Sequence, residues 1–297
     1  MKPTAAEAVN VRRALKRLRA EPVAWEPVTT GGHTPARRWI VTLADGRRAF
    51  VKVATDELTA AWVRDEHLVY SMLRGAAFMP GYVGFSDDGV HPVIALEDLS
   101  AALWPPPWTR ATVDAVLETL DLVHGTHAPD GLPRADDPHL ELRGGWAEVA
   151  RETDDFLALG LCSSQWLERN RPDLQAAAEA ASLGGEALLH FDVRSDNLCL
   201  RGDGAAILVD WNWASVGNPW IDVATWLPSL HAEGGPAPED AAPAVPPELA
   251  ALVAGLFSAH AARPALSTAP LVRGLQLRQA RTALPWAARA LGLPMPA

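Results

Sequence analysis

The stretch "ALLHFDVRSDNLCL", residues 187–200, constrains this chain more than any other. An apolar run reaches His190 and stops. His190, Asp192, Arg194, Ser195, Asp196 and Asn197 then crowd together before "LCL" resumes the apolar run. A regular buried strand would leave so many polar groups without partners. A loop between two strands, with several side chains converging on one point, accounts for them better. The blander alternative is a surface turn, with Asp and Asn present for their turn chemistry.

The rest of the chain can house such a loop. With 297 residues and 48% hydrophobic content it can bury a sizeable core, as one large or two modest domains. No window approaches an uncharged apolar span, and "MKPTAAEAVNVRRALKRLRA" lacks an apolar signal region, so a cytoplasmic protein with a solvated N-terminal amphipathic helix is expected. Two cysteines, Cys162 and Cys199, make no disulfide framework, and Cys199 inside "LCL" reads as a packed core residue. A net charge of −10 argues against nucleic acid as a partner and is compatible with a cationic substrate.

Periodicity changes along the chain. Trp39, Val41 and Leu43 alternate with polar neighbours, "ADG" turns, and "AFVKVA" returns, which reads as a hairpin. A helix over about 56–74 follows, ended by Gly75, then strands around "GYVGFS" and "HPVIALED". After "WPPPW" the spacing becomes helical, with Thr109 placed to cap the first helix. Further helices are expected near 145–160, 164–182, 247–261 and 270–291, and "EGGPAPEDAAPAVPPE" reads as an exposed, mobile loop. The expectation is an α+β chain of two lobes with a cleft between them: residues 1–99, β-rich with one long helix, and residues 100–297, mainly helical with short strands at 187–213.

"HFDVRSDN" fits H-x-D-x-x-x-x-N, the catalytic-loop spacing of protein-kinase-like phosphotransferases. Asp192 would orient and accept the proton of an attacking hydroxyl, and Asn197 would offer its amide oxygen to Mg²⁺. Arg194 would neutralise charge on the transferred phosphoryl group. "AAILVDWNWA" then ends an apolar strand on Asp210, thirteen residues after Asn197. That gap suits a strand, a "GDG" turn and a returning strand, so Asp210 would come beside Asn197 and share the metal.

On these residues the chain resembles the aminoglycoside phosphotransferase and choline-kinase-like superfamily, whose fold is similar to that of protein kinases. The usual motif there is H-G-D, and here Phe191 replaces the glycine. The resemblance places the family's metal-binding Asp on Asp210. A later carboxylate that steadies the catalytic loop falls on Asp222 in "GNPWIDVA", and a structural histidine on His124 in "LDLVHGTHA".

Such a site needs a strand lysine for the nucleotide phosphates and a helical acid to hold that lysine. Lys52 in "AFVKVA" supplies the first. For the second, the apolar stripe Leu58, Trp62, Val69 and Met72 favours Asp65, whereas the resemblance favours Glu66 through "EHLVYSMLRG". Glu66 is taken, its longer side chain reaching a strand more easily. Gly31 and Gly32 in "TTGGHT" suit either a phosphate-covering loop or an ordinary hairpin turn. "VIALEDLS" resembles the hinge that binds adenine, with Leu96 and Asp98 as contacts.

The expectation is an ATP- and Mg²⁺-dependent O-phosphotransferase acting on a hydroxyl of a small molecule, an antibiotic or amino-sugar-like compound, with GTP as an alternative donor. Glu152, Asp154, Asp155 and Glu233 are candidate substrate-facing acids, against the reading of "ETDD" as a solvated helix face. Of twelve tryptophans, Trp211, Trp213, Trp220 and Trp226 cluster after Asp210, chiefly as core. Rival readings are a kinase-like nucleotide-binding regulatory module without turnover, a nucleotidyltransferase on the same fold, and a metal hydrolase using His190, Asp192 and Asp210.

Overall fold

Thr4 and Glu7 close a reciprocal capping box that starts α1 (Ala5–Ala14). The computed structural model describes residues 3–29, 31, 35–140, 142–266 and 269–296. Three antiparallel strands follow, β1 (Pro22–Pro27), β2 (Arg37–Leu43) and β3 (Arg48–Val53), then α2 (Glu57–Met72), β4 (Tyr82–Ser86) and β5 (Val93–Glu97). Next come α3 (Arg110–His124), α4 (Gly145–Arg151), α5 (Thr153–Leu157) and α6 (Ser164–Ala180). Short strands β6 (Ala187–Leu189), β7 (Leu198–Leu200), β8 (Ala206–Leu208) and β9 (Ser215–Gly217) lead to α7 (Trp220–Ala232), α8 (Pro238–Ala241), α9 (Pro247–Ala262) and α10 (Val272–Ala290).

The chain forms two compact units: the part up to Pro105 joined by Asp196–Ala214, and Pro106–Ser195 joined by the part from Ser215 onward. The first holds a five-stranded antiparallel sheet in the order β1-β2-β3-β5-β4. Strand period two sends Trp39, Val41, Leu43, Val51 and Val53 to one face, where they share a buried cluster with Val11 and Ala14 of α1 and with Leu15, which caps it. The N-terminal helix is thus docked on the sheet rather than solvated. Lys52 points to the opposite face, where α2 meets it. The hairpin β7–β8 belongs to this unit, with Leu198 opposite Leu208 and Gly204 turning at φ +87°.

The second unit is helical around α9, which is buried on nearly every side, as expected of a helix apolar all round. Its two-stranded ribbon pairs β6 with β9, so the strand leading into His190 lies beside the one leading into α7. The helix expected over 145–160 is two, because Glu152 leaves helical dihedrals at φ −109°, ψ 47°. The segment 234–246 is not wholly exposed: Pro238 starts α8, and Pro238, Ala241, Ala242 and Val245 are buried. Among the described residues no helix is long and apolar enough to cross a membrane.

Two glycines give a paired test of this packing. A Cβ at Gly84 in β4 would overlap the Ala14 carbonyl oxygen of α1, whereas a Cβ at Gly274 in α10 meets nothing within 4 Å. Gly84→Ala should lower stability by about 1–3 kcal/mol through the forced backbone shift. Gly274→Ala should raise it by about 0.5–1 kcal/mol through helix propensity. Urea melts of both proteins check the pair.

Candidate active site

In the first unit, Lys52 Nζ donates to Glu66 Oε2 at 2.9 Å and to Asp210 Oδ1 at 2.6 Å. The lysine and glutamate side chains are 8% and 2% exposed, while Asp210 is 27% exposed. Burial alone would lower the lysine's proton affinity, but the Asp210 and Glu66 carboxylates outweigh it and raise the pKa, so Lys52 stays charged. Burial pushes the Glu66 carboxyl above the usual carboxylate range, against the pull of Lys52. Asp65 is exposed and does not take this place. The buried face of α2 is Thr59, Ala60, Val63, Glu66, Val69 and Tyr70, whereas Leu58 and Met72 of the expected apolar stripe face solvent.

The β7–β8 hairpin carries Asn197 on one side and Asp210 on the other. The Val209 amide donates to the Asn197 carbonyl at 2.9 Å, setting Asp210 next to Asn197. Asp210 adopts the left-handed conformation, φ 65°, ψ 58°. The carboxylate and the amide are hard oxygen donors from adjoining backbone, a set that fits Mg²⁺, which takes few protein ligands beside phosphates and water. In the same unit Gly31 has φ +68°, and a Cβ built on it would lie 3.9 Å from Asp196 Cβ. Its carbonyl accepts from Arg38 Nη1 at 2.7 Å. Gly32 lies outside the described residues.

At the end of the sheet, Leu96 is buried in β5 opposite Phe50 of β3 and Tyr82 of β4. Asp98 accepts from Arg48 Nε at 2.8 Å and from the Ser100 amide at 2.9 Å and the Ser100 hydroxyl. Its carboxylate therefore shapes the turn that follows β5. Cys199 is fully buried, and burial pushes its thiol up to about 12, as suits a core residue.

In the second unit, the loop after β6 is held by Asp222. This carboxylate, wholly buried in the first turn of α7, accepts from the amides of His190 at 2.9 Å and Phe191 at 2.7 Å, and lies 3.1 Å from His124 Nε2. Phe191, whose amide is one of those held, lies in the left-handed region at φ 68°, a conformation costly for a residue with a Cβ. Asp192 follows directly, with Arg194 Nη2 at 3.3 Å from its Oδ2. Among the described residues only Arg19, Phe191 and Asp210 are non-glycine residues with positive φ, so two of the three lie at candidate site positions.

Glu233, weighed from sequence as a substrate-facing acid, accepts from the Ser195 hydroxyl at 2.7 Å and the Trp108 indole at 3.0 Å. Neither partner stands out in the sequence, because one serine and one tryptophan carry no spacing signal. Glu152, Asp154 and Asp155 are exposed around the α4–α5 break. Trp211 and Trp226 are core, whereas Trp213 is 45% exposed, its ring 6.3 Å from Trp62.

Comparison with known protein families matches residues 24–242 to the phosphotransferase enzyme family (APH). The chain belongs to that family. Among solved structures it is similar to an aminoglycoside phosphotransferase from Alicyclobacillus acidocaldarius subsp. acidocaldarius DSM 446. They are 14% identical with a TM-score of 0.64, covering 98% of this chain and 96% of that one. It is also similar to the choline kinase LicA from Streptococcus pneumoniae (14% identity, TM-score 0.60, 97% and 99% covered). The GDP and kanamycin complex of APH(2")-IIia is a further relative in fold (11% identity, TM-score 0.62, 97% and 98% covered). A search of curated proteins finds no match. The fold of this phosphotransferase-family chain is thus the protein-kinase-like α+β fold.

The Asp222 grip gives two expectations of different size. Asp222→Asn keeps one acceptor oxygen and turns an NH₂ toward a buried amide, so it should cost about 2–3 kcal/mol. Phe191→Gly relieves the left-handed residue but gives up a half-buried ring and adds the glycine's entropy, so it should change stability by less than about 1 kcal/mol. Chemical denaturation of each variant reads both.

Proposed function

We propose that this phosphotransferase-family protein is a cytoplasmic enzyme that transfers the γ-phosphoryl group of ATP to a hydroxyl of a small molecule. An antibiotic or amino-sugar-like compound is the acceptor class that fits best. The observation that carries this reading is the buried Lys52 shared by Glu66 and Asp210. A cation so held is preorganised for phosphates, and the acid that would also face a metal already touches it.

In this reading residues 1–99 supply Lys52 for the α- and β-phosphates, Glu66 to hold that lysine, and Gly31 with Gly32 to cover the phosphates. Leu96 and Asp98 mark the adenine-binding stretch. Residues 100–297 supply the catalytic loop and the acceptor site. Asn197 and Asp210 would hold Mg²⁺, which when bound neutralises charge on the phosphate oxygens. Asp192 orients the acceptor hydroxyl and takes its proton late in transfer. Its main contribution is to orient the hydroxyl. Arg194 assists the transferred group. The net charge of −10 suits a cationic acceptor.

The test is nucleotide consumption with ATP and with GTP against a panel of aminated sugars, aminoalcohols and antibiotics, with mass spectrometry of the product. Added phosphate supports the reading. Added AMP would make the protein a nucleotidyltransferase, and nucleotide binding without consumption across the panel would make it a regulatory module. Asp192→Ala should lower kcat by about a thousandfold or more while leaving Mg–nucleotide affinity within about threefold. Transfer at the parental rate would refute the role of Asp192.

A further inference from the structure

One helix holds both ends of the loop that contains Asp192. Asp222, in the first turn of α7, takes the amides of His190 and Phe191. Glu233, the residue that caps the other end of α7, takes the Ser195 hydroxyl at 2.7 Å. The two grips lie eleven residues apart on one helix. At a rise of about 1.5 Å per residue that is roughly 16 Å of stiff backbone. Asp192 and Arg194 lie between the gripped residues.

Glu233 is itself held. Its second oxygen accepts from the Trp108 indole at 3.0 Å, and the Trp108 ring meets buried Trp226 of α7 edge-on at 5.7 Å. A surface carboxylate would sample many rotamers. This one is half-buried with a donor on each oxygen, an arrangement that fixes its direction.

We infer that Glu233 is a positioning residue for phosphoryl transfer: with Trp108 it clamps Ser195 and thereby fixes the C-terminal end of the catalytic loop, as Asp222 fixes the N-terminal end. Naming the loop catalytic rests on the proposed function, whereas the clamp rests on the hydrogen bonds alone. A role in clamping differs chemically from a role in capturing a cationic substrate. Clamping needs hydrogen bonds and tolerates loss of charge. In Glu233→Gln the amide oxygen can still accept from Trp108 while the NH₂ donates to Ser195, whose hydroxyl is acceptor as well as donor.

Two readouts separate the possibilities. The first is hydrogen exchange of amides 190–195 in the full-length protein without nucleotide. Glu233→Ala and Ser195→Ala should each speed exchange about tenfold, and the double variant should be no faster than either. Glu233→Gln should stay within about threefold of the parent. Because Ser195→Ala removes a single hydroxyl, it decides the matter even if Glu233→Ala folds poorly. The second readout is Mg–ATP turnover. Glu233→Ala should lower kcat about tenfold with KM for ATP little changed, and Glu233→Gln should recover most of that loss.

Unchanged exchange in both alanine variants would overturn the clamp. So would a Glu233→Gln protein as slow in turnover as Glu233→Ala, since that would make the charge act directly. A parental protein that turns over no nucleotide would sink the proposed function instead, and exchange alone would then decide the clamp.

Discussion

A buried lysine between two carboxylates is the constraint on which the nucleotide half of this protein depends. Lys52 sits in a strand whose other face is the apolar core, so its ammonium is removed from water and must be paired. Glu66 comes to it from α2 and Asp210 from the end of the β7–β8 hairpin. One hydrogen-bonded centre thereby ties together a sheet, a helix and a hairpin from distant parts of the chain. Of the two acids Glu66 is the buried one and Asp210 the more exposed.

The second unit solves a different problem. The loop carrying Asp192 and Arg194 runs outside helix and strand, and side chains of α7 hold it. Asp222 supplies acceptors for two amides, and the Phe191 conformation that results is one most residues avoid. Glycine at that position would remove the strain, so the grip of Asp222 must be strong enough to hold a bulky residue there. Local strain maintained by a buried carboxylate marks a place where geometry takes precedence over stability.

Much of this was legible because chemistry dictates residue identity at fixed spacing. His190, Asp192 and Asn197, followed by an apolar strand ending in Asp210, point from sequence alone to both the fold and the loop. Strand β2 was legible from alternation, β3, β4 and β5 from the apolar runs and turns around them, and α3 from its cap and spacing. Periodicity misled where a charge was buried: the α2 face toward the sheet contains Glu66, so an apolar stripe drawn through Leu58 and Met72 pointed the wrong way. It was silent for α7, which is apolar nearly all round and contains Pro228, leaving Asp222 and Glu233 looking like acids in a loop. Proline-rich composition also disguised α8, where Pro238 starts a helix instead of preventing one. The Ser195–Glu233–Trp108 contact joins residues far apart in the chain and could emerge only from the folded structure.

The most direct measurement is calorimetric titration of a Mg–ATP analogue into the parental protein and into Lys52→Met, with circular dichroism to confirm that both are folded. If the buried lysine exists to hold phosphates, the parent binds and the variant binds at least about tenfold more weakly. Equal affinity in a folded Lys52→Met protein would mean that the Lys52–Glu66–Asp210 centre is structural only, and the account of the nucleotide site would fail.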